Sequence, residues 1–234
     1  MDAKRVERWL RQAGRVLLAP RCLVCGEAGV HGQDLCAACT AALPWNHTAC
    51  PRCALPLAHA ALCGACLQRP PPVAATCAVF VYGFALDRLV PRFKFHQDLA
   101  AGRLLAELMA QGLVQAERPA ALVPVPLHPA RLRTRGYDQA LELARPVGRA
   151  LGLPVLSEVL HRRRDTAPQS ELDAAARRRN LRGAFAVSSP TALPDHVAVL
   201  DDVMTTGATA HAAARALARA GVKRVDAWVC ARAP

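Results

Sequence analysis

Eight of the ten cysteines fall into four Cys-x-x-Cys pairs: Cys22/Cys25, Cys36/Cys39, Cys50/Cys53 and Cys63/Cys66. Ten residues separate the first pair from the second and the second from the third, and nine separate the third from the fourth. Such a turn presents two thiolates to one ion, and two turns complete a tetrahedral zinc site. Fewer than fifty residues with so few large apolar side chains bury too little surface to fold alone, so metal has to supply the stability. The spacing predicts a double zinc ribbon with two structural Zn²⁺ sites, each closed by four sulfurs and therefore not catalytic. Local pairing puts Cys22, Cys25, Cys36 and Cys39 on one ion and Cys50, Cys53, Cys63 and Cys66 on the other. A crossed arrangement uses the same ligands. His31, His47 and His59 lie nearby, but no cysteine position is missing for them to fill. Cys77 and Cys230 sit in apolar contexts and are expected to be buried, inert thiols.

Gln68 to Cys77 carries three consecutive prolines, which reads as a stiff spacer and a domain boundary. Four regions follow: an amphipathic helix over 1–21, the ribbon over 22–67, a linker over 68–77 and a larger domain over 78–234. In the first of these Val6, Trp9, Leu10, Ala13 and Leu17 recur at helical spacing with arginines opposite. Such a helix fits an anionic membrane surface or, the preferred reading, a docking face on its own domain. Arg5, Arg8, Arg11 and Arg15 interrupt every apolar stretch there, so it is not read as a signal peptide. No uncharged apolar run approaches the length of a membrane span. The expected compartment is the reducing cytoplasm, where cysteines bind metal more readily than they pair.

Beyond the prolines, strand-like runs ("CAVFVYGF", "ALVPVPLH", "AFAV", "HVAVL", "RVDAWVC") alternate with helical stretches after Leu99 and around 138–151 and 209–220. That alternation predicts an α/β domain with a largely parallel sheet flanked by helices. In "VLDDVMTTGAT", Asp201 and Asp202 end a buried strand, and Thr205, Thr206, Gly207, Ala208 and Thr209 turn into an alanine-rich helix. Gly221 is placed to end that helix in a left-handed conformation. Open α/β sheets bind ligands at the carboxyl ends of their strands, and the free N–H groups of a helix N-terminus suit a phosphate. Carboxylates that accept from a diol beside a turn that donates to phosphate point to a ribose 5-phosphate group. Taken alone, the same pair of acids also fits a metal site or a helix cap.

Four apolar positions, two acids, two apolar positions, Thr-Thr-Gly, one residue and Thr resemble the 5-phosphoribosyl diphosphate (PRPP) signature of type I phosphoribosyltransferases. With "LVPVPLHPARLRTRGYDQALELA" and "RRRDTAPQSELDAAARRRNLRGAFAV" behind a double ribbon, the chain from about Cys22 onward resembles the ComF family of competence-associated proteins. "RGYDQA" departs from that family's more usual "RGFNQA" at Tyr137 and Asp138. The resemblance implies a type I phosphoribosyltransferase-like fold that binds PRPP with Mg²⁺. Asp201 and Asp202 would hold the ribose hydroxyls, and Thr205 to Thr209 would wrap the 5-phosphate. The turn at Leu127 and His128 would approach the diphosphate, with Arg131, Arg133 and Arg135 neutralising it and Arg135 foremost. Lys94 would join the PRPP site. Arg164, Thr166, Gln169, Arg179 and Asn180 would belong to a mobile loop that closes over the diphosphate.

Other readings remain open on the residues alone. Alternating arginines also make a solvated face, and the net charge of +12 comes almost wholly from arginine. Two Arg triplets would also suit non-specific contact with single-stranded DNA, although few aromatics lie there for stacking. The family resemblance implies a role in DNA uptake with uptake proteins as partners, either as a transferase with an unread acceptor or as a non-catalytic scaffold regulated by PRPP.

Overall fold

A computed structural model of the chain describes residues 20–163, 183–188 and 192–234. The predicted amphipathic helix, and Arg164, Thr166, Gln169, Arg179 and Asn180, lie outside these residues. Short helices α1 (Ala37–Ala41) and α2 (Gly64–Gln68) carry the second and fourth Cys-x-x-Cys turns. The larger domain then runs β1 (Thr76–Val81), α3 (Leu86–Phe95), α4 (Leu99–Gly112), β2 (Ala121–Pro124), α5 (Pro129–Arg135) and α6 (Gln139–Leu151). It continues β3 (Leu160–Arg162), β4 (Phe185–Val187), β5 (His196–Met204), α7 (Ala208–Arg219) and β6 (Arg224–Arg232).

Four strands form an all-parallel sheet in the order β1-β6-β5-β2, while β3 and β4 make a separate antiparallel pair. Both faces are covered, which is why these strands are apolar runs instead of alternating ones. Period-two geometry divides their side chains between two cores. Leu122, Ala198, Leu200, Trp228 and Cys230 pack with α3, α4 and α6. Val123, Val197, Val199, Val225 and Val229 pack towards α7. The α7 helix ends on Gly221 at φ +100°, with Gly221 N–H donating to Ala218 and Val222 N–H to Leu217. That is the paired carbonyl closure a left-handed residue permits.

Two helices of the larger domain were not anticipated from sequence. The α3 segment carries Pro91 in its interior, and α5 spans only seven residues, with Pro129 at its start. A proline in the first helical turn lacks only a donor that would be unpaired anyway.

The ribbon is built into the sheet. Cys22, Val24, Leu35, Cys36 and Cys39 share one core with Phe80, Leu86 and Phe93. The first lobe therefore gains apolar burial from the larger domain in addition to metal, which a reading of the ribbon as a self-contained module missed. Arg88 donates to the Val24 carbonyl at 2.9 Å, and Arg92 donates to Leu23. The second lobe has a small cluster of its own: Cys50, Cys63 and Cys66 with Leu55 and Leu57. Pro44 to Asn46 cover the outer edge of β1: Val81 N–H donates to Pro44 at 2.8 Å and Asn46 N–H to Val79 at 2.9 Å. At the opposite edge, Pro154 to Leu156 pair with Leu122. Neither edge of the sheet is left open to pairing with another chain.

The proline-rich stretch is not a free spacer to Cys77. Val73 is fully buried, Ala74 N–H donates to Val225, and β1 already begins at Thr76. Backbone donors that reach the sheet end the spacer earlier than the prolines imply. Cys230 is buried as expected, whereas Cys77 is only half-buried.

Candidate functional site

Each sulfur quartet forms the local pairing. The ligand atoms of Cys22, Cys25, Cys36 and Cys39 lie within 4.8 Å of one another, and so do those of Cys50, Cys53, Cys63 and Cys66. Cys25 and Cys36 sulfurs are 3.6 Å apart, as are those of Cys53 and Cys63. Tetrahedral Zn–S bonds of about 2.3 Å set sulfurs about 3.8 Å apart, so both quartets fit Zn²⁺. Burial opposes ionisation of Cys22, but the N–H groups of Cys36, Cys25 and Val24 outweigh it and bring the thiol down to about 6. Arg232 links the second quartet to the sheet: its Nε donates to the Cys53 carbonyl at 3.0 Å, and a terminal nitrogen donates to Met204 at 3.3 Å.

A cleft of about 350 Å³ opens at the carboxyl end of β5. Pairing with β2 stops at Leu200 opposite Pro124, while β5 runs on beside β6 to Met204. Asp201 and Asp202 stand just past that divergence, and both line the cleft. Asp202 is 6% exposed and Asp201 half-buried. Their mutual repulsion is met by Lys94 at the end of α3, whose Nζ lies 2.8 Å from Asp202 Oδ2. Burial works against the Lys94 charge, yet the Asp202 carboxylate outweighs it and holds the ammonium above its ordinary range. Burial, reinforced by the Asp202 charge, pushes the Asp201 carboxyl up to about 8. The acids therefore form a compensated pair: one is bound to an ammonium, and the other keeps its proton at neutral pH.

The turn after β5 sits at the start of α7. Gly207 caps the helix at φ +74°, and a Cβ there would lie 2.8 Å from His211 Nε2. Only glycine meets both conditions without strain. Burial, with Arg215 and Arg232 adding to it, pushes His211 down to about 4, so the imidazole under the turn is neutral. Thr205 and Thr209 line the cleft, and Thr206 Oγ1 accepts from Ala208 N–H at 3.4 Å. A smaller recess of about 20 Å³ joins Asp201 to Thr205, Gly207, Ala208 and Thr209.

Across the cleft, Arg131 and Arg135 line the wall from α5. Helical i,i+4 spacing puts these two on one face, and Arg133 is exposed on another, away from the lining. The sequence reading grouped all three, and the helical period separates them. Leu127 lines the cleft, but its N–H donates to Asp138 Oδ2 at 2.7 Å and so is already engaged. His128 caps α5, its ring nitrogen accepting from Ala130 N–H at 3.3 Å. Asp138 also accepts from Leu141 N–H at 3.1 Å as the cap of α6. Burial raises its carboxyl despite these donors.

A double zinc ribbon domain family matches residues 13–67. The chain is 37% identical to the DNA utilization protein YhgH of Salmonella typhimurium, over 85% of this chain and 90% of that protein. It is 34% identical to competence protein F of Haemophilus influenzae, over 91% of this chain and 97% of that protein. The chain belongs to the ComF family. Competence protein ComFC of Streptococcus pneumoniae is 28% identical over 66% of this chain and 67% of its own length.

Three cleft residues of this ComF protein escaped the sequence reading. Arg162 heads an arginine triplet that reads as one mobile surface, yet it is 8% exposed, lines the cleft and lies over the Phe185 ring at 5.7 Å. Gln139 is 3% exposed and lines the cleft, and its Nε2 has no hydrogen-bond partner among the described residues. Phe95 is 67% exposed at the mouth. The local signals were the apolar Val159 and Leu160 just before Arg162 and the place of Gln139 in "RGYDQA". No helix among the described residues is long and apolar enough to cross a membrane.

Proposed function

We propose that this ComF protein binds PRPP and transfers its phosphoribosyl group, working in the cytoplasm on the handling of incoming DNA. One observation carries the reading: a single cleft gathers two strand-end carboxylates, a hydroxyl-rich turn at a helix N-terminus and two arginines of one helix face. Its volume falls at the small end of the range for small-molecule sites. The relatives' names, DNA utilization protein and competence protein F, support the biological setting.

In this reading the ribose hydroxyls donate to Asp201 and Asp202, and the 5-phosphate accepts from the Thr205–Thr209 turn. Arg131 and Arg135 face the diphosphate. An acceptor nucleophile bonds to the anomeric carbon as the carbon–oxygen bond to diphosphate breaks, and the leaving group keeps the electron pair. Positive charge that develops on the ring is stabilised by the Asp202 carboxylate, and negative charge on the diphosphate by the arginines. Asp138 lines the same cleft, but among the described residues no third acid lies close enough to Asp201 and Asp202 to form a metal cluster, and Lys94 already occupies Asp202. Mg²⁺ would therefore enter with the diphosphate, Asp201 giving up its proton to join in holding it, and would supply charge that neutralises the leaving group.

Calorimetric titration of the zinc-loaded protein with PRPP, with and without Mg²⁺, tests the reading. One saturable site is expected in the wild type. Asp201→Asn combined with Asp202→Asn is expected to abolish it at unchanged zinc content, and normal PRPP binding by that double variant would overturn the assignment. The names of the relatives also favour a second reading, a non-catalytic DNA-binding scaffold with PRPP as regulator. Binding without diphosphate release in the presence of single-stranded DNA would select it.

A further inference from the structure

A second cleft of about 370 Å³ adjoins the first and shares Lys94, Phe95, Arg131 and Arg135 with it. Among the described residues no acidic side chain lines it. Phe95 ends α3 and is 67% exposed, although Phe93, two residues earlier, is fully buried. A large aromatic ring left in water forgoes the stabilisation that burial would bring. The Phe95 ring is also held: the Arg135 guanidinium lies over it at 5.5 Å from the centroid.

Gln97 adds a second, independent observation. Its φ is +55°, the left-handed position after a helix end, where glycine would be least strained. Its side chain lines the second cleft. The carboxamide offers both donors and an acceptor. An exposed aromatic ring with a guanidinium over it, an amide at its border and the Arg131 and Arg135 cations are the parts that hold an unstacked nucleobase and its phosphate strand.

We propose that this second cleft binds a nucleobase of single-stranded DNA, stacked on the Phe95–Arg135 surface. The Gln97 amide faces the base edge, and Arg131 attracts the backbone, Lys94 being engaged by Asp202. The assignment deepens the proposed function by placing the DNA beside the PRPP cleft, and rests on that reading only for what the base would meet there.

The test uses the full-length, zinc-loaded protein and a fluorescently labelled oligothymidylate, followed by anisotropy at fixed salt. Phe95→Ala is expected to weaken binding about tenfold, and Phe95→Trp to restore it. An abasic strand of equal length is expected to bind the wild type no better than the intact strand binds Phe95→Ala. Free thymidine monophosphate, titrated in parallel, is expected to bind more weakly than the strand, since it lacks the neighbouring phosphates. Equal affinity of wild type and Phe95→Ala for the strand, or no binding by the wild type, would overturn the proposal. PRPP calorimetry on the wild type keeps the two readings apart. Phe95-dependent DNA binding without PRPP binding upholds the base site and removes the transferase. PRPP binding with Phe95-independent DNA binding does the reverse.

Discussion

Replacing Asp201 with asparagine probes the cost of placing two carboxyl groups at one strand end. The Asp201 carboxyl is raised from 3.8 to about 8, by burial first and by Asp202 second. In the folded chain it keeps its proton up to about pH 8, whereas in the unfolded chain it loses it near 3.8. Between those values the folded state binds more protons, so stability falls as pH rises, by up to about 1.4 kcal/mol per unit. The stabilising effect of the raised carboxyl is complete below the unfolded value and lost above the folded one. Asparagine has the same shape and no proton to lose. Asp201→Asn should therefore match the wild type near pH 4 and gain on it steadily to about pH 8, then run parallel. The ceiling on that gain is about 6 kcal/mol, and about 4 kcal/mol is reached by pH 7. Relaxation and water entry reduce such figures, so about 2 kcal/mol at pH 7 is the working expectation. Urea unfolding of both proteins at saturating zinc, in unit steps from about pH 5 to about pH 9, measures it. Stability curves that stay parallel across this range would refute the reasoning, whatever their separation.

Two further outcomes follow from the geometry. Asp138→Ala removes the cap of α6 and the acceptor for Leu127 together, and should cost about 2 kcal/mol in urea unfolding. Asp138→Asn keeps one acceptor oxygen and turns an amide N–H₂ on the other donor, so it should recover only part of that loss; full recovery would show that one of the two hydrogen bonds contributes little. Chelation of zinc should speed hydrogen exchange at the Val81 amide, which donates to Pro44 of the ribbon, and lower the thermal midpoint of the chain by about 10 °C. Unchanged exchange at Val81 would mean that the ribbon seals the sheet without its metal.

What could be read in advance was what the chemistry confines to a short stretch of chain. Zinc needs paired sulfurs a turn apart, so all eight ligands and the ribbon were legible in the Cys-x-x-Cys spacing. The β5–turn–α7 unit was legible for the same reason, since a buried strand, a glycine with positive φ and a helix follow one another within a few residues. The Lys94–Asp202 pair was not, because 107 intervening positions leave no local trace of it. The scarcity of lysine marked Lys94 but could not name its partner. The α5 arginines were misgrouped because assigning a face needs the helix, and a seven-residue helix opened by proline has too weak a period to announce itself. The ribbon's share in the main core was hidden likewise, because Leu35 and Phe80 meet only after both parts have folded.

The strip from Pro44 to Asn46 that lies along β1 bears on how such a chain can change over generations. A zinc module joined by a flexible tether can be lost, duplicated or exchanged without harm to its neighbour. Here a gene that discards the ribbon also strips a sheet of its border and leaves Arg232 without the Cys53 carbonyl that anchors it just behind the Thr205–Thr209 turn. Descendants that dispense with the metal must supply another border strand and another anchor at the same time. The two halves are therefore inherited as one piece, and zinc supply becomes a condition on the cleft as much as on the ribbon.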